Sequence, residues 1–148
     1  MGSKSNWKEF GGPDKEIAVI NRAEGRSEVD MFCKYLGIKN SQIKAIMIVG
    51  ENAQGVKTIS RNKAAITYLS VGHALKEAEL GVPVKLLPLD GIAANSKTVA
   101  SGIYPLSRPL NLVTLPKMTN LQKQFIDYAR SKKVNGIIKN QSFVPVAN

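Results

Sequence analysis

The sequence has few of the residues that most often carry out catalysis or hold metals. It contains one cysteine and one histidine, so it can form no internal disulfide, and His73 has no cysteine partner at the spacing of a zinc site. No P-loop, dinucleotide-binding glycine motif or nucleophile-elbow serine motif occurs. We therefore predict no catalytic residue, no metal site and no cofactor.

Long apolar runs are absent as well. The longest, such as residues 45–49 (AIMIV), are far shorter than the roughly 20 residues that a membrane-spanning helix needs. No basic-then-apolar leader opens the sequence. The residues alone therefore suggest a soluble chain that carries no export signal of its own.

Basic residues outnumber acidic ones, 21 to 11, which gives a net charge of +10. Such an excess attracts anions of every kind, from small oxyanions to nucleic acid. The lysines and arginines are scattered, however, without a block of like charges or interleaved aromatic residues. A solvated basic surface is the simpler interpretation, and we predict no nucleic-acid partner.

Strand-like and helical segments alternate along the chain, which predicts an α/β fold. Strand-like runs occur at residues 16–21, 45–49, 64–70, 84–89 and 110–115. Helical patterns cover residues 52–61, 71–80 and 134–138, and a further helix near the C-terminus carries Leu121, Phe125, Ile126 and Ala129 on one face.

The first helix is predicted from the spacing of Val29, Phe32, Cys33 and Leu36, which fall on one helical face. The spacing makes Cys33 a buried thiol. Ser27 and Asp30 resemble a capping box at the start of this helix, and Gly37 stands where a C-terminal cap belongs.

The loop before that helix, residues 21–28 (NRAEGRSE), is the best candidate for a binding site. A loop that leaves a strand, turns on a glycine and opens a helix offers free N–H groups and the positive end of the helix dipole to an oxyanion. Arg22 and Arg26 can add bidentate contacts. A plain helix start is the alternative. Residues 52–55 offer either a second set of N–H groups or a simple helix cap.

Five segments, in order, resemble the phosphate-binding proteins of ABC transporters. The first is NWKEFGGPD with the following IAV and RAEG, and the second is AAITYLSVG. The third is TVASGIYPLSRPL, and the last two are FIDYA and FVPV. They lie at residues 6–25, 64–72, 98–110, 125–129 and 143–146.

This resemblance implies a fold similar to the type II periplasmic-binding proteins, in which two α/β lobes close over an anion. It implies a single domain over residues 1–148, with a mixed sheet flanked by helices and C-terminal helices. Residues 1–106 are similar to the second lobe, and residues 107–148 are similar to the crossover strand and the closing helices.

The resemblance also implies a ligand set, comprising Arg22, Glu24, Gly25, Arg26, Ser27 and Glu28. Arg22, Glu24 and Gly25 match the family pattern, whereas Arg26, Ser27 and Glu28 stand where the family has Ser, Gly and Thr. Glu24 is predicted either to accept a hydrogen bond from a protonated oxyanion or only to favour the helix N-terminus.

The function implied is binding of inorganic phosphate or a similar oxyanion for an ABC transporter permease, without enzymatic chemistry. The location implied is the periplasm, and the cytoplasm is the alternative. A second copy of the chain is predicted as a partner, because the helix with Leu121 and Phe125 would otherwise expose its apolar face. The alternative is an interaction protein without a ligand, in which the basic surface binds a partner or nucleic acid.

Overall fold

The computed structural model describes residues 4–145, which form two compact units divided between Leu87 and Pro88. Residues 1–3 lie outside the described residues, as does Val146, which closes the segment FVPV. The prediction of one domain with parts at 1–106 and 107–148 stays a prediction.

The first unit is built around a three-stranded parallel sheet. Strand β1 (Ala18–Arg22) lies in the middle, between β2 (Met47–Val49) and β3 (Ala65–Ile66). Ile20 pairs with Met47 on one side, and Ala18 pairs with Ala65 on the other. β1 is buried along nearly its whole length, as expected of a central parallel strand.

A helix follows each strand of the first unit. These are α1 (Ser27–Leu36), α2 (Asn52–Ser60) and α3 (Val71–Glu79). Short 3-10 helices cover Trp7–Phe10 and Asn40–Gln42. The Trp7 ring N–H donates to the carbonyl of Ala64, 2.8 Å away, and so attaches the first 3-10 helix to the start of β3.

The core of the first unit lies between the sheet and these helices. Ile20 and Val49 come from the strands, Val29 and Cys33 from α1, and Val56 from α2, and all five are buried. The predicted apolar face of α1 is therefore confirmed for Val29 and Cys33, whereas Leu36 at its end is exposed.

The two ends of α1 differ in how well the sequence predicts them. Gly37 adopts a left-handed φ of 64° and its N–H bonds to carbonyls of the last turn, which confirms the predicted cap. The predicted capping box is wrong. Arg26 precedes the helix without a side-chain cap, and the Ser27 hydroxyl instead donates to Glu28 at 3.4 Å.

The second unit is helical in its described part. It holds α4 (Ser96–Ala100), α5 (Asn120–Ala129), a 3-10 helix at Lys132–Val134 and α6 (Asn135–Asn140). Thr119 caps α5 by accepting from the N–H of Gln122. The helix predicted around Leu121 and Phe125 is confirmed, as is a shorter helix after it.

The strands predicted at 84–89 and 110–115 are wrong. Leu89 makes only an isolated bridge with Ile92, and residues 110–115 form no regular structure. The strand predicted at 64–70 shortens to Ala65–Ile66. The α/β class is confirmed, but over residues 4–145 the sheet is parallel and not mixed. No helix in that range is long and apolar enough to cross a membrane.

Candidate functional site

The candidate site lies at the carboxyl edge of the first unit's sheet. Because the three strands are parallel, residues 23–26, 50–51 and 67–70 leave this same edge before α1, α2 and α3 begin. Ligands of open α/β sheets bind outside the carboxyl ends of the strands, where helix N-termini converge.

Arg22 ends β1 and is the most unusual residue of this edge. It is 2% exposed, and its Nε and Nη1 atoms are buried without a hydrogen-bond partner among residues 4–145. Nη1 lies 3.7 Å from the position that a Cβ would occupy at Gly55 of α2. A buried charge without a partner is costly, so this guanidinium is suited to hold an anion.

A chain of polar side chains fixes the end of β1 beside Arg22. The buried Asn21 side chain accepts hydrogen bonds from the Arg22 N–H at 2.8 Å and the Tyr68 hydroxyl at 2.7 Å. It donates to Asn40 at 2.8 Å, and Asn40 donates to Glu24 at 3.5 Å. The Glu24 carboxylate is thereby positioned by contacts that begin in the core.

Tyr68 has an environment that keeps its hydroxyl a donor. Its ring stacks on Phe32 of α1 with centroids 4.0 Å apart. Burial raises the pKa of the Tyr68 hydroxyl, while its contact with the backbone of Arg22 acts in the opposite direction. The hydroxyl therefore stays protonated at neutral pH and donates to Asn21.

The remaining predicted site residues lie at the start of α1. Gly25 adopts a φ of 79°, which a glycine permits without strain. Arg26 makes an ion pair with Glu51, the residue before α2, and both side chains are partly exposed. Ser27 donates to Glu28. The structure thus brings Arg22 and Glu24 to one edge, but it engages Arg26, Ser27 and Glu28 with other protein groups.

Four residues of this edge were not in the predicted ligand set. Asn21, Asn40 and Tyr68 form the polar chain, and the Oδ1 atom of Asn52 is buried without a hydrogen-bond partner in the described part of the chain. Two of the four had a signal in the sequence, because Asn21 opens the candidate loop 21–28 and Asn52 lies in the segment 52–55 considered for its N–H groups.

Cys33 and His73, which were not predicted as site residues, contact other protein groups. Cys33 is a free, buried thiol whose pKa is raised by burial and by Asp30. His73 lies in α3, with Nε2 at 3.8 Å from Glu77 of the next turn. Across residues 4–145, no group of three or more His, Cys, Asp or Glu residues is placed to hold a metal ion.

Comparison with known proteins assigns the family. Residues 2–133 match the model of the PBP superfamily domain. The chain belongs to the PBP superfamily. The PBP-like fold expected from the five segments is thereby confirmed.

Among curated PBP relatives, the phosphate-binding protein PstS of Bacillus subtilis (strain 168) is 30% identical over 149 aligned positions, which include 99% of this chain and 47% of the relative. Phosphate-binding protein PstS 2 of Streptococcus pneumoniae (serotype 4, TIGR4) is 30% identical over 96% of this chain and 43% of its own length. The resemblance to phosphate-binding proteins is confirmed. The chain spans about half the length of the curated relatives that it matches.

Solved structures of PBP proteins superpose on this chain. A phosphate ABC transporter substrate-binding protein from Clostridium perfringens, crystallised with phosphate, superposes with a TM-score of 0.74 at 26% identity. That match covers 99% of this chain and 58% of the other. PstS from Borrelia burgdorferi superposes with a TM-score of 0.72 at 26% identity, over 99% of this chain and 60% of that one.

Proposed function

We propose that the chain is an anion-binding module of a phosphate-type PBP, which binds inorganic phosphate or a related oxyanion without covalent chemistry. The observation that carries the proposal is the Arg22 guanidinium, which is 2% exposed and has two nitrogens without partners among the described residues. Relatives and structural neighbours of the chain are phosphate-binding proteins. Phosphate supplies oxygens that match the two N–H groups of a guanidinium fork.

The dipoles of two helices support the same ligand. α1 and α2 both begin at this edge, and within residues 4–145 neither has a side-chain cap from the residue that precedes it. The Val29 N–H of α1 donates to the Arg26 carbonyl, and the N–H groups ahead of it at the helix start can serve as donors. The positive ends of the two helices favour negative charge between them. Together with Arg22 they make the edge attractive to a compact oxyanion.

Glu24 favours a protonated oxyanion over sulfate under this proposal. Asn40 reaches Oε1 only at 3.5 Å, so the exposed carboxylate keeps acceptor capacity for a ligand O–H. Sulfate has no proton to donate at neutral pH and meets an unpaired negative charge. Glu24→Gln should therefore narrow the difference between phosphate and sulfate affinities. If the ratio of phosphate to sulfate affinity does not change, Glu24 does not contact the ligand and only favours the start of α1.

Calorimetric titration of the full chain with phosphate tests the binding proposal. Arg22→Met keeps most of the side-chain volume and removes the charge, so phosphate binding should weaken by about 1.5 to 3 kcal/mol. Arg61→Ala removes an exposed arginine of the same unit and should leave binding unchanged. If Arg22→Met binds phosphate as well as the parent chain does, the site is elsewhere.

The alternative function is separated by thermal shifts with phosphate, sulfate and a short DNA. A ligand that binds the folded state raises the melting temperature. Stabilisation by phosphate that persists at high salt supports the PBP function. Stabilisation by DNA alone, lost at high salt, would instead indicate a basic interaction module.

The wider setting of the PBP function is an ABC transporter permease as partner and a periplasmic location. Similarity to phosphate ABC transporter substrate-binding proteins supports it. Fractionation of the source cells, followed by crosslinking to membrane proteins, tests both expectations. Recovery in the cytoplasmic fraction without a membrane partner would contradict them.

A second copy of the chain is the other partner we propose, at an apolar groove in the second unit. The groove has a volume of about 440 Å³ and is lined mainly by Leu112, Val113, Leu121, Phe125 and Ile126. Val113 is 88% exposed and Leu121 is 76% exposed. Two copies can cover these faces in a two-fold arrangement with exchange of C-terminal parts.

Sedimentation equilibrium at tens of micromolar tests this assembly. A species of twice 16.1 kDa is expected, and Leu121→Lys should shift it toward the monomer. A parent chain that sediments only as a monomer would contradict the assembly without affecting the binding proposal.

A further inference from the structure

Asn52 opens α2 with an amide oxygen that is buried and has no hydrogen-bond partner among the residues described. Residues three apart in a helix lie on the same face, so Asn52 shares a face with Gly55. Gly55 in turn lies against the Arg22 guanidinium, since a Cβ there would be 3.7 Å from Nη1. Asn52 is therefore one helical turn from the unpaired charge, toward the helix N-terminus.

The atoms of Arg22 and Asn52 that lack partners are hydrogen-bond donors in one residue and an acceptor in the other. Arg22 has buried N–H donors, and Asn52 has a buried acceptor, yet no hydrogen bond satisfies either set within residues 4–145. Buried polar groups are nearly always paired with protein, water or ligand. A protonated oxyanion carries acceptor oxygens for Arg22 and an O–H for Asn52, and the amide can also turn its N–H groups toward an oxygen.

The loop before α1 has few side-chain donors left for a ligand. Arg26 pairs with Glu51, and the Ser27 hydroxyl donates to Glu28. These are two of the three positions at which the sequence departs from the family pattern. The helix α2 lies against Arg22 at the same edge, so its side chains are candidates for ligand contacts that the loop side chains do not offer.

We propose that Asn52 is a further ligand-contact residue, which binds through its side-chain amide the same anion that Arg22 holds. The inference rests on the proposed function, because it assigns a second element to that one site. A Cβ at Gly55 would stand 3.7 Å from Nη1, at ordinary van der Waals distance, so the guanidinium lies beside α2 one turn from the amide.

Asn52→Asp separates a ligand contact from a role in the helix start. A carboxylate in the first turn of a helix is favourable to the helix dipole, so the variant should melt at or above the temperature of the parent chain in phosphate-free buffer. The same carboxylate repels a bound anion. Calorimetric titration with inorganic phosphate should show binding that is roughly a hundredfold weaker, and about tenfold weaker for Asn52→Ala.

Asn120→Asp is the matched control, because Asn120 is also the first residue of its helix, α5, and is exposed. Its phosphate affinity should equal that of the parent chain. If Asn52→Asp and Asn52→Ala bind phosphate as tightly as the parent, the Asn52 assignment is overturned while the proposed function stands. If the parent chain itself binds no phosphate, the proposed function fails and this inference fails with it.

Discussion

The two units of the chain bury different kinds of surface. The first unit closes helices over both the apolar residues and the charged end of β1, so that Ile20, Val49 and Arg22 are each at most 2% exposed. In the described part of the second unit, Tyr104 and Val134 are the buried hydrophobic residues, while Leu121 and Phe125 are largely exposed. The parallel strands and their crossover helices enclose a core around β1, although Met47 and Ile48 of the edge strand β2 are exposed. The short helices of the second unit leave more of their apolar faces uncovered.

This difference matters for binding because a buried charge needs a rigid surrounding. Arg22 is 2% exposed at the end of β1, the central strand of the sheet, with Gly55 of α2 beside its guanidinium. The second unit, by contrast, offers apolar surface that is suited to another protein. The first unit is therefore the candidate for ligand chemistry and the second for association.

Large-to-small substitutions should sharpen the contrast most. Ile20→Ala removes a buried side chain of the first unit and should lower the free energy of unfolding by about 2 to 5 kcal/mol. Leu121→Ala removes an exposed side chain of the second unit, so the loss should be within about 0.5 kcal/mol. Urea denaturation measures both, at a concentration where the chain is monomeric. Equal losses would mean that the second unit buries its apolar face after all.

A smaller effect is expected from the polar chain beside the site. Tyr68→Phe removes the hydroxyl that donates to Asn21 at 2.7 Å and should cost about 1 kcal/mol at pH 7. Tyr104→Phe in the second unit is the comparison, because burial also raises the pKa of Tyr104. Denaturant titration of the two variants measures the difference, and a larger loss for Tyr104→Phe would contradict the assigned role of Tyr68.

The same tyrosines make stability depend on pH in the alkaline range. A folded-state pKa raised above the ordinary value of 10.0 gives stability that is fully present below about pH 10 and lost as the pH rises through the raised pKa. Each Tyr→Phe variant should therefore lose less stability than the parent chain between neutral and strongly alkaline pH. Parallel curves for parent and variant would contradict the shift.

The smallest effect is expected where the site meets solvent. Glu51→Gln breaks the ion pair with Arg26, in which the glutamate side chain is 69% exposed. Stability should fall by less than about 1 kcal/mol, because exposed ion pairs contribute little. Phosphate affinity should rise modestly, since Arg26 is released and a carboxylate is removed from the edge. A fall in affinity would mean that the pair holds the site together.

Local features of the first unit were predictable from the sequence. The spacing of Val29 and Cys33 predicted the inward face of α1, and Gly37 predicted its end, because both depend on residues close in the chain. The strands at 84–89 and 110–115 were wrong because apolar residues make a strand only when a neighbour is available to pair. Whether a pairing strand is available depends on residues far away in the sequence.

Of the candidate site, too, only the local part was predictable from the sequence. Arg22 was predicted because a charge follows an apolar run and precedes a glycine turn. The contact between Asn21 and Tyr68 joins residues 47 positions apart, and the position of Asn52 relative to Arg22 depends on how α2 packs. Such contacts follow from the tertiary fold and leave no local pattern.

Cys33 gives the first unit a built-in reporter of its own opening. It is the sole thiol of the chain and is buried on the inner face of α1, where burial raises its pKa. Slow alkylation is therefore expected. We expect a maleimide to react mainly when α1 lifts from the sheet, so the labelling rate should report how often the first unit opens. Phosphate added to such an experiment should slow the labelling if the ligand ties α1 to α2.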